Sequence, residues 1–308
     1  MDDLQPLDLL LEHRKYHWFM HCRFVLERLL IPLCNEVHLS TTAPYEIAVV
    51  VIDNRIDEQW LFTVLNTWLM CPTNSAFLLI TDASSKAQAE ELLKHHAPSL
   101  KANVLDVDQI MPGIKMTEPA SLNAMLKQPG FWQQMPYEQL LIVQTDALLS
   151  KPLDPFFFQF AYLGAPFLPR QHSEYFERRG VEGRINNFFK YDTSIHGSPN
   201  PDVYPHLHGN GGLSIRQRSI MVKICELWGP SSPSSELEDV FFSRHVAQVA
   251  SVPPLEIAQA FATETTYNRQ AVGSHACWKF LSSADLADHL DQHLRAAYAM
   301  TEARRQLS

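Results

Sequence analysis

Glu46-Ile-Ala-Val-Val-Val-Ile-Asp53 is an unbroken apolar run, rich in β-branched side chains and closed by a carboxylate at each end. It has no polar residue at alternate positions. It therefore predicts a strand buried on both faces, the environment of a parallel sheet. The device recurs. Ala76-Phe-Leu-Leu-Ile-Thr-Asp82 and Gln139-Leu-Leu-Ile-Val-Gln-Thr-Asp146 read as further strands, and Asn103 to Val107 as a shorter one. Between them, residues 58–70 show helical spacing (Leu61, Val64, Leu65, Trp68, Leu69) and stop at Pro72. Residues 84–96 read as a helix with Ser84 or Ser85 as cap, and residues 120–134 as another. Strands alternating with helices predict an α/β domain with a mostly parallel central sheet and helices on both faces. In such sheets the ligand site lies outside the carboxyl ends of the strands.

Working outward, residues 1–44 read as an N-terminal helical extension and 45–308 as one domain. Leu7, Leu10, Leu11, Phe24, Val25 and Leu29 recur at helical spacing, with Arg14, Lys15, Arg23, Glu27 and Arg28 between them, and Pro32 is expected to end the unit. That pattern fits a helix packed on the main domain. It also fits a basic amphipathic helix that touches a membrane or a partner. Residues 168–208 are rich in Gly, Pro, Asn, His and Arg and hold no period, so they read as a loop with a role, a lid over a bound ligand. Arg178, Arg179 and Arg184 within it could clamp a diphosphate or an acidic acceptor, or form a solvated charged loop.

Composition narrows the function. The 308 residues are 46% apolar and 19% charged, enough for a sizeable core. A net charge of −9 excludes a general nucleic-acid binder, which needs a basic surface to displace counterions. No run of about 18 apolar residues offers a membrane span. Met1-Asp2-Asp3 does not open a signal peptide. Five widely spaced cysteines without a CxxC pair fit a reducing compartment. A cytoplasmic protein is expected, with peripheral contact at the inner face of the membrane left open. Gly-x-Gly-x-x-Gly, the P-loop and Gly-x-Ser-x-Gly are all absent. Dinucleotide enzymes, P-loop NTPases and α/β-hydrolases lose their signatures accordingly.

Three polar clusters interrupt the apolar background. Gln144-Thr145-Asp146 ends the most apolar strand, where a carboxylate can reach a divalent cation, or simply cap a turn. His208-Gly-Asn-Gly-Gly212 can bring backbone close to a ligand, or only turn the chain. In Ser235-Glu-Leu-Glu-Asp239-Val-Phe-Phe242, Ser235 and Glu238 match a capping box. Asp239 is left on the first helical turn, where the dipole should keep it ionised. His275, in Gly273-Ser-His275-Ala-Cys-Trp278, is isolated in sequence.

Taken together, Gly130-Phe-Trp-Gln-Gln-Met-Pro-Tyr-Glu138, Leu140-Leu-Ile-Val-Gln-Thr-Asp146, Tyr162-Leu-Gly-Ala-Pro166, Gly209-Asn-Gly-Gly-Leu-Ser214, Glu238-Asp-Val-Phe-Phe242, Phe261-Ala-Thr-Glu264 and Gly273-Ser-His275 resemble a domain-of-unknown-function family. That family is similar to GT-A-type nucleotide-sugar glycosyltransferases, a Rossmann-like fold, and the resemblance covers roughly residues 46–281. It implies transfer of a sugar from a nucleotide-diphosphate donor to a glycan or glycolipid hydroxyl. Gln144-Thr145-Asp146 stands where the Asp-x-Asp metal motif would, with Gln144 replacing its first acid. His275 stands where a late histidine completes the shell of Mn²⁺ or Mg²⁺, so the resemblance implies Asp146 and His275 as metal ligands. Asp239 matches the general base of inverting relatives, and Glu238 would hold acceptor hydroxyls. Arg55 and Asp82 fall where the base and ribose are usually held, and Gln144, Thr145, Asn210, Gly211 and Gly212 would complete the donor site. A non-catalytic sugar- or nucleotide-binding scaffold on the same fold is the alternative, kept open by the reduced metal motif.

Overall fold

The computed structural model describes residues 6–37, 46–166 and 209–307. The expected lid over 168–208, with Arg178, Arg179 and Arg184, and His208 lie outside the described residues. In chain order the strands are β1 (Ile47–Ile52), β2 (Ser75–Thr81), β3 (Ala102–Asp106), β4 (Gln139–Val143), β5 (Ala147–Leu149), β6 (Tyr162–Gly164), β7 (Leu213–Gln217), β8 (Ala262–Thr263) and β9 (Gly273–His275). The helices are α1 (Pro6–Val25), α2 (Ile31–Glu36), α3 (Glu58–Met70), α4 (Ala83–His96), α5 (Val107–Ile110), α6 (Pro119–Leu126), α7 (Pro129–Gln133), α8 (Arg218–Trp228), α9 (Glu238–His245), α10 (Leu255–Phe261) and α11 (Ser283–Leu307).

The main sheet has the order β3-β2-β1-β4-β7-β6. β1 runs parallel to β2 and β4, and β2 to β3, while β7 runs antiparallel to β4 and β6. The continuous apolar strands divide their side chains between two cores. Val49, Val51, Phe77, Leu79, Leu141 and Val143 face one cluster, with Trp18, Trp60 and Leu290 from α1, α3 and α11. Ala48, Val50, Leu78, Ile80, Leu140 and Ile142 face the other, with Met125, Trp132, Ile224 and Phe242 from α6, α7, α8 and α9. This is the α/β architecture expected of strands apolar at every position. A second small sheet, β5-β9-β8, pairs Ala147 with His275 and so carries the end of the chain back to the end of β4.

Four local expectations are corrected. Asp82, not Ser84 or Ser85, caps α4, accepting from the Ser85 amide at 2.9 Å. The helix expected over 120–134 is two, because Pro129 lacks the amide needed to continue and starts α7 instead. Pro32 does not end the N-terminal unit. A π-helical segment, Leu26–Leu30, widens the register, and Pro32 sits in the first turn of α2, where a missing amide is tolerated. The capping box at Ser235 does not form. Leu237 occupies the N-cap without a side-chain bond, and the Glu238 amide donates to Asn123 Oδ1 at 2.9 Å.

The N-terminal helix packs on the main fold. Trp18, Cys22 and Val25 are fully buried in the cluster that holds β1 and α3, and the buried Arg14 guanidinium donates to the Leu281 carbonyl. Its outer face exposes Leu9, Tyr16, Met20 and Phe24. Among the described residues no helix is long and apolar enough to cross a membrane.

Candidate active site

The chain runs from β1 outward through β2 to β3, then returns to place β4 on the other side of β1. That reversal creates a crevice at the carboxyl ends of β1 and β4. Asp53, just past β1, accepts from Arg55 Nε at 3.0 Å and Nη2 at 2.7 Å, and from Thr145 Oγ1 at 2.8 Å. Arg55 Nη2 also donates to Thr145 Oγ1 at 3.1 Å. From α3, Gln59 Nε2 and Thr63 Oγ1 donate to the Thr145 carbonyl at 2.9 and 3.2 Å. The turn after β4 is thus fixed on two sides. Beside it lies a cleft of ≈ 250 Å³ lined by Lys15, Arg55, Thr145, Asp146 and Trp278 among others.

At the bottom of the turn, His275 Nε2 stands 3.0 Å from Asp146 Oδ1 and 3.1 Å from Gln144 Oε1. Its Nδ1 stands 3.2 Å from Glu264 Oε1. Burial alone would lower the imidazole, but the Asp146 and Glu264 carboxylates outweigh it and raise it to about 10. Burial alone would raise the Asp146 carboxyl. His275, with Lys279 Nζ 3.4 Å away, outweighs that and holds it well below the usual carboxylate range. Gly212 is required by this imidazole, since a Cβ there would meet His275 Nε2 at 2.3 Å. The glycines expected to admit a ligand thus first admit the protein's own side chains.

One carboxylate oxygen, one amide oxygen and one imidazole nitrogen therefore converge within hydrogen-bonding distance. Among the described residues no group of three His, Cys, Asp or Glu side chains stands at metal-ligand spacing. The set fits a hard cation that takes the rest of its shell from water and phosphate, because such ions keep several non-protein ligands. Binding would displace the proton on Nε2, as metal binding at imidazole generally does.

On the far side of Gly212 lies Asp239. Its Oδ1 accepts from its neighbour's amide, Val240, at 2.8 Å, and its Oδ2 lies 3.4 Å from Asn210 Nδ2 and from the Gly211 amide. Burial, then Glu238, then Glu264 push the Asp239 carboxyl up to about 7. This corrects the expectation that the helix start keeps it ionised. Two neighbouring carboxylates and partial desolvation exceed what a helix dipole supplies. Glu238 is engaged by Arg216, Nη1 to Oε2 at 2.7 Å and Nη2 to Oε1 at 3.0 Å. Arg216 is fully buried, with the Trp132, Tyr162 and Phe242 ring centroids 5.4, 5.2 and 5.1 Å from its guanidinium carbon.

The link between the two sides is Glu264. Its Oε1 faces His275 and also accepts from Asn210 Nδ2 at 3.0 Å. Its Oε2 is buried and has no hydrogen-bond partner among the described residues. The structure thus brings Gln144, Asp146 and His275 together, Arg55 with Thr145, and Asn210 and Gly211 with Asp239. Asp82 caps α4, and its Oδ2 accepts at 2.9 Å from Nδ2 of Asn54, the residue between Asp53 and Arg55. Sequence reasoning assigned no role to Asp53, Arg216, Glu264 or Lys279. A carboxylate closing the first apolar strand was the available signal for Asp53; the others carry none until the fold gives them partners.

No curated protein matches this chain. Among solved structures, the apo structure of the bifunctional glycosyltransferase WbbM is 11% identical, with a TM-score of 0.49, covering 88% of this chain and 53% of that one. This chain thus spans about half of WbbM. Core-mannan synthase A from Aspergillus fumigatus, in its Mn/GDP form, is 10% identical over 84% of this chain and 87% of that one, with a TM-score of 0.45. The galactosyltransferase LgtC, in complex with donor and acceptor sugar analogues, is 13% identical over 82% and 95%, with a TM-score of 0.43. At these values the likenesses assign no residue. The family model described as "Protein of unknown function (DUF5672)" matches residues 105–275, more than half of the chain and the span from β3 to the His275 imidazole, and the chain belongs to that family.

Proposed function

We propose that the protein is a GT-A-type glycosyltransferase that moves a sugar from a nucleotide-diphosphate donor to a glycan or glycolipid hydroxyl. The observation that carries this reading is the convergence of Asp146, Gln144 and His275 at the switch point, joined through Glu264 and Asn210 to the raised carboxyl of Asp239. Asp146 and His275, with Gln144 beside them, would hold Mn²⁺ or Mg²⁺. A bound divalent ion supplies Lewis-acid neutralisation of a leaving diphosphate.

The protein's own residues have the following parts. Arg55, held by Asp53 and Thr145, lies at the mouth of the cleft where donor phosphate or ribose would enter. Asp239 takes the proton of the acceptor hydroxyl as that hydroxyl attacks the sugar, and attack from the face opposite the diphosphate inverts the configuration. A carboxyl at about 7 suits this work, since a general base is most effective near the operating pH. Glu238 acts through position: bound to Arg216, it fixes the start of α9 and raises its neighbour. The unpartnered Oε2 of Glu264 would accept a hydrogen bond from a sugar hydroxyl.

The test is incubation with a panel of nucleotide-diphosphate sugars and Mn²⁺, reading release of the nucleotide diphosphate. Release by the wild type and its loss in Asp239→Asn support the reading. Tight nucleotide binding with no release from any donor, with or without added glycan acceptors, would instead favour a binding scaffold.

A further inference from the structure

One wall of the cleft beside Asp146 comes from α1. Lys15 and Phe19 line it together with Arg55, Asp146 and Trp278. The helix is pinned at this place by Arg14, which bonds the Leu281 carbonyl just after the Trp278 turn, and by the buried Trp18. Lys15 Nζ stands 5.6 Å from the centroid of a Trp278 ring, and Lys279 Nζ stands 5.2 Å from it. Two ammonium groups over one indole repel each other unless something negative lies between or beside them. For Lys279 that partner is Asp146, and for the nearby Arg55 it is Asp53. No carboxylate among the described residues lies at ion-pair distance from Lys15. The Trp278 indole N–H is buried without an acceptor among the described residues, a costly state for a donor. Lys15, without a carboxylate at ion-pair distance among the described residues, thus borders the cleft that also holds the candidate cation ligand, with Asp57 as the second carboxylate of its lining. An anion in the cleft would supply Lys15 with its missing counter-charge. At ≈ 250 Å³ the cleft is smaller than a whole ligand site, commonly about 300–1,000 Å³, so it suits the diphosphate rather than the entire donor.

We propose that α1 is a wall of the donor site, and that Lys15, held against Trp278, binds the diphosphate together with Lys279 and Arg55. The proposal rests on the reading of this crevice as a nucleotide-diphosphate site, and gives the N-terminal helix a part in binding that the sequence pattern did not.

The test is calorimetric titration of the full chain with UDP and with GDP, each with Mn²⁺, for the wild type, Lys15→Gln, Lys15→Glu and Trp278→Phe. Lys94→Glu, on α4, serves as control. Thermal melting checks that each variant is folded. The expected result is about threefold to tenfold weaker binding in Lys15→Gln, a larger loss in Lys15→Glu, a smaller loss in Trp278→Phe and none in the control. Wild-type binding that Lys15→Gln and Lys15→Glu both retain in full overturns the role of α1 while leaving the donor site standing. A wild type that binds neither nucleotide overturns the functional reading and this inference with it.

Discussion

The two sides of the candidate site are held by different means. On the proposed cation side the backbone places the groups. Gln144 and Asp146 lie in the turn that follows β4, and the pairing of Ala147 with His275 sets the imidazole opposite them. On the base side the side chains place one another. Asp239 owes its setting to the Glu238–Arg216 ion pair, to Asn210 and to Glu264, which come from separate stretches of chain. A group placed by the backbone keeps its position when its charge is removed, though Asp146 and His275 also pair with each other. A group held by buried partners couples binding, proton affinity and stability, so substitutions on the two sides should fail differently.

The largest effect expected is at Arg216. Arg216→Leu leaves Glu238 buried and unpaired. It should cost about 3–5 kcal/mol of stability, read by denaturant unfolding, whereas replacing both partners by well-packed apolar residues should cost far less. If the single and double variants were equally unstable, the base side would not depend on this pair.

Next comes Asp239→Asn, which keeps the shape but cannot take a proton. Turnover should fall roughly 10²-fold or more while donor affinity holds. The pH profile sharpens the point. Because the folded carboxyl is raised to about 7, the ionised base forms, and activity rises, as pH passes upward through about 7. Stability runs the other way. The contribution of a raised carboxyl is complete below its unfolded value and is lost as pH rises to the folded value. Wild type should therefore lose stability from about pH 4 to 7 relative to Asp239→Asn, whose unfolding curve lacks that component.

On the other side, Asp146→Asn should weaken Mn²⁺-linked nucleotide binding by at least roughly tenfold, the lower range even for residues one shell further out. Stability should fall as well, because the Asp146 carboxylate is paired with the buried His275 imidazole and with Lys279, although the turn itself stays held through Thr145. The smallest effect is expected at Asp82. Asp82→Ala removes the cap of α4 and should cost about 1 kcal/mol, read as a shift in the denaturation midpoint.

The same contrast explains what was legible in the sequence. The central strands followed from unbroken apolar runs, because burial on both faces leaves no alternation to misread. The position of Asp146 just past β4 was legible because the carboxyl end of such a strand is a defined place. The state of Asp239 was not. A helix start predicts an ionised carboxylate, and only the fold reveals that Glu264, many residues later, and Glu238 crowd it. Glu238 was read as a cap for the same reason: the capping-box spacing is local, whereas Arg216 reaches it across the fold from β7. Asp82 is the reverse case, a strand-end carboxylate whose bonds in the structure are to the start of α4 and to Asn54.

The most direct test of the central claim, a cation-held diphosphate at the β1–β4 crevice, is calorimetry with a nucleotide diphosphate on wild type and Asp146→Asn, each with and without Mn²⁺. The account predicts binding by the wild type that strengthens with Mn²⁺, and a variant whose affinity no longer responds to the ion. Equal affinity in all four titrations, or no binding in any, would contradict it.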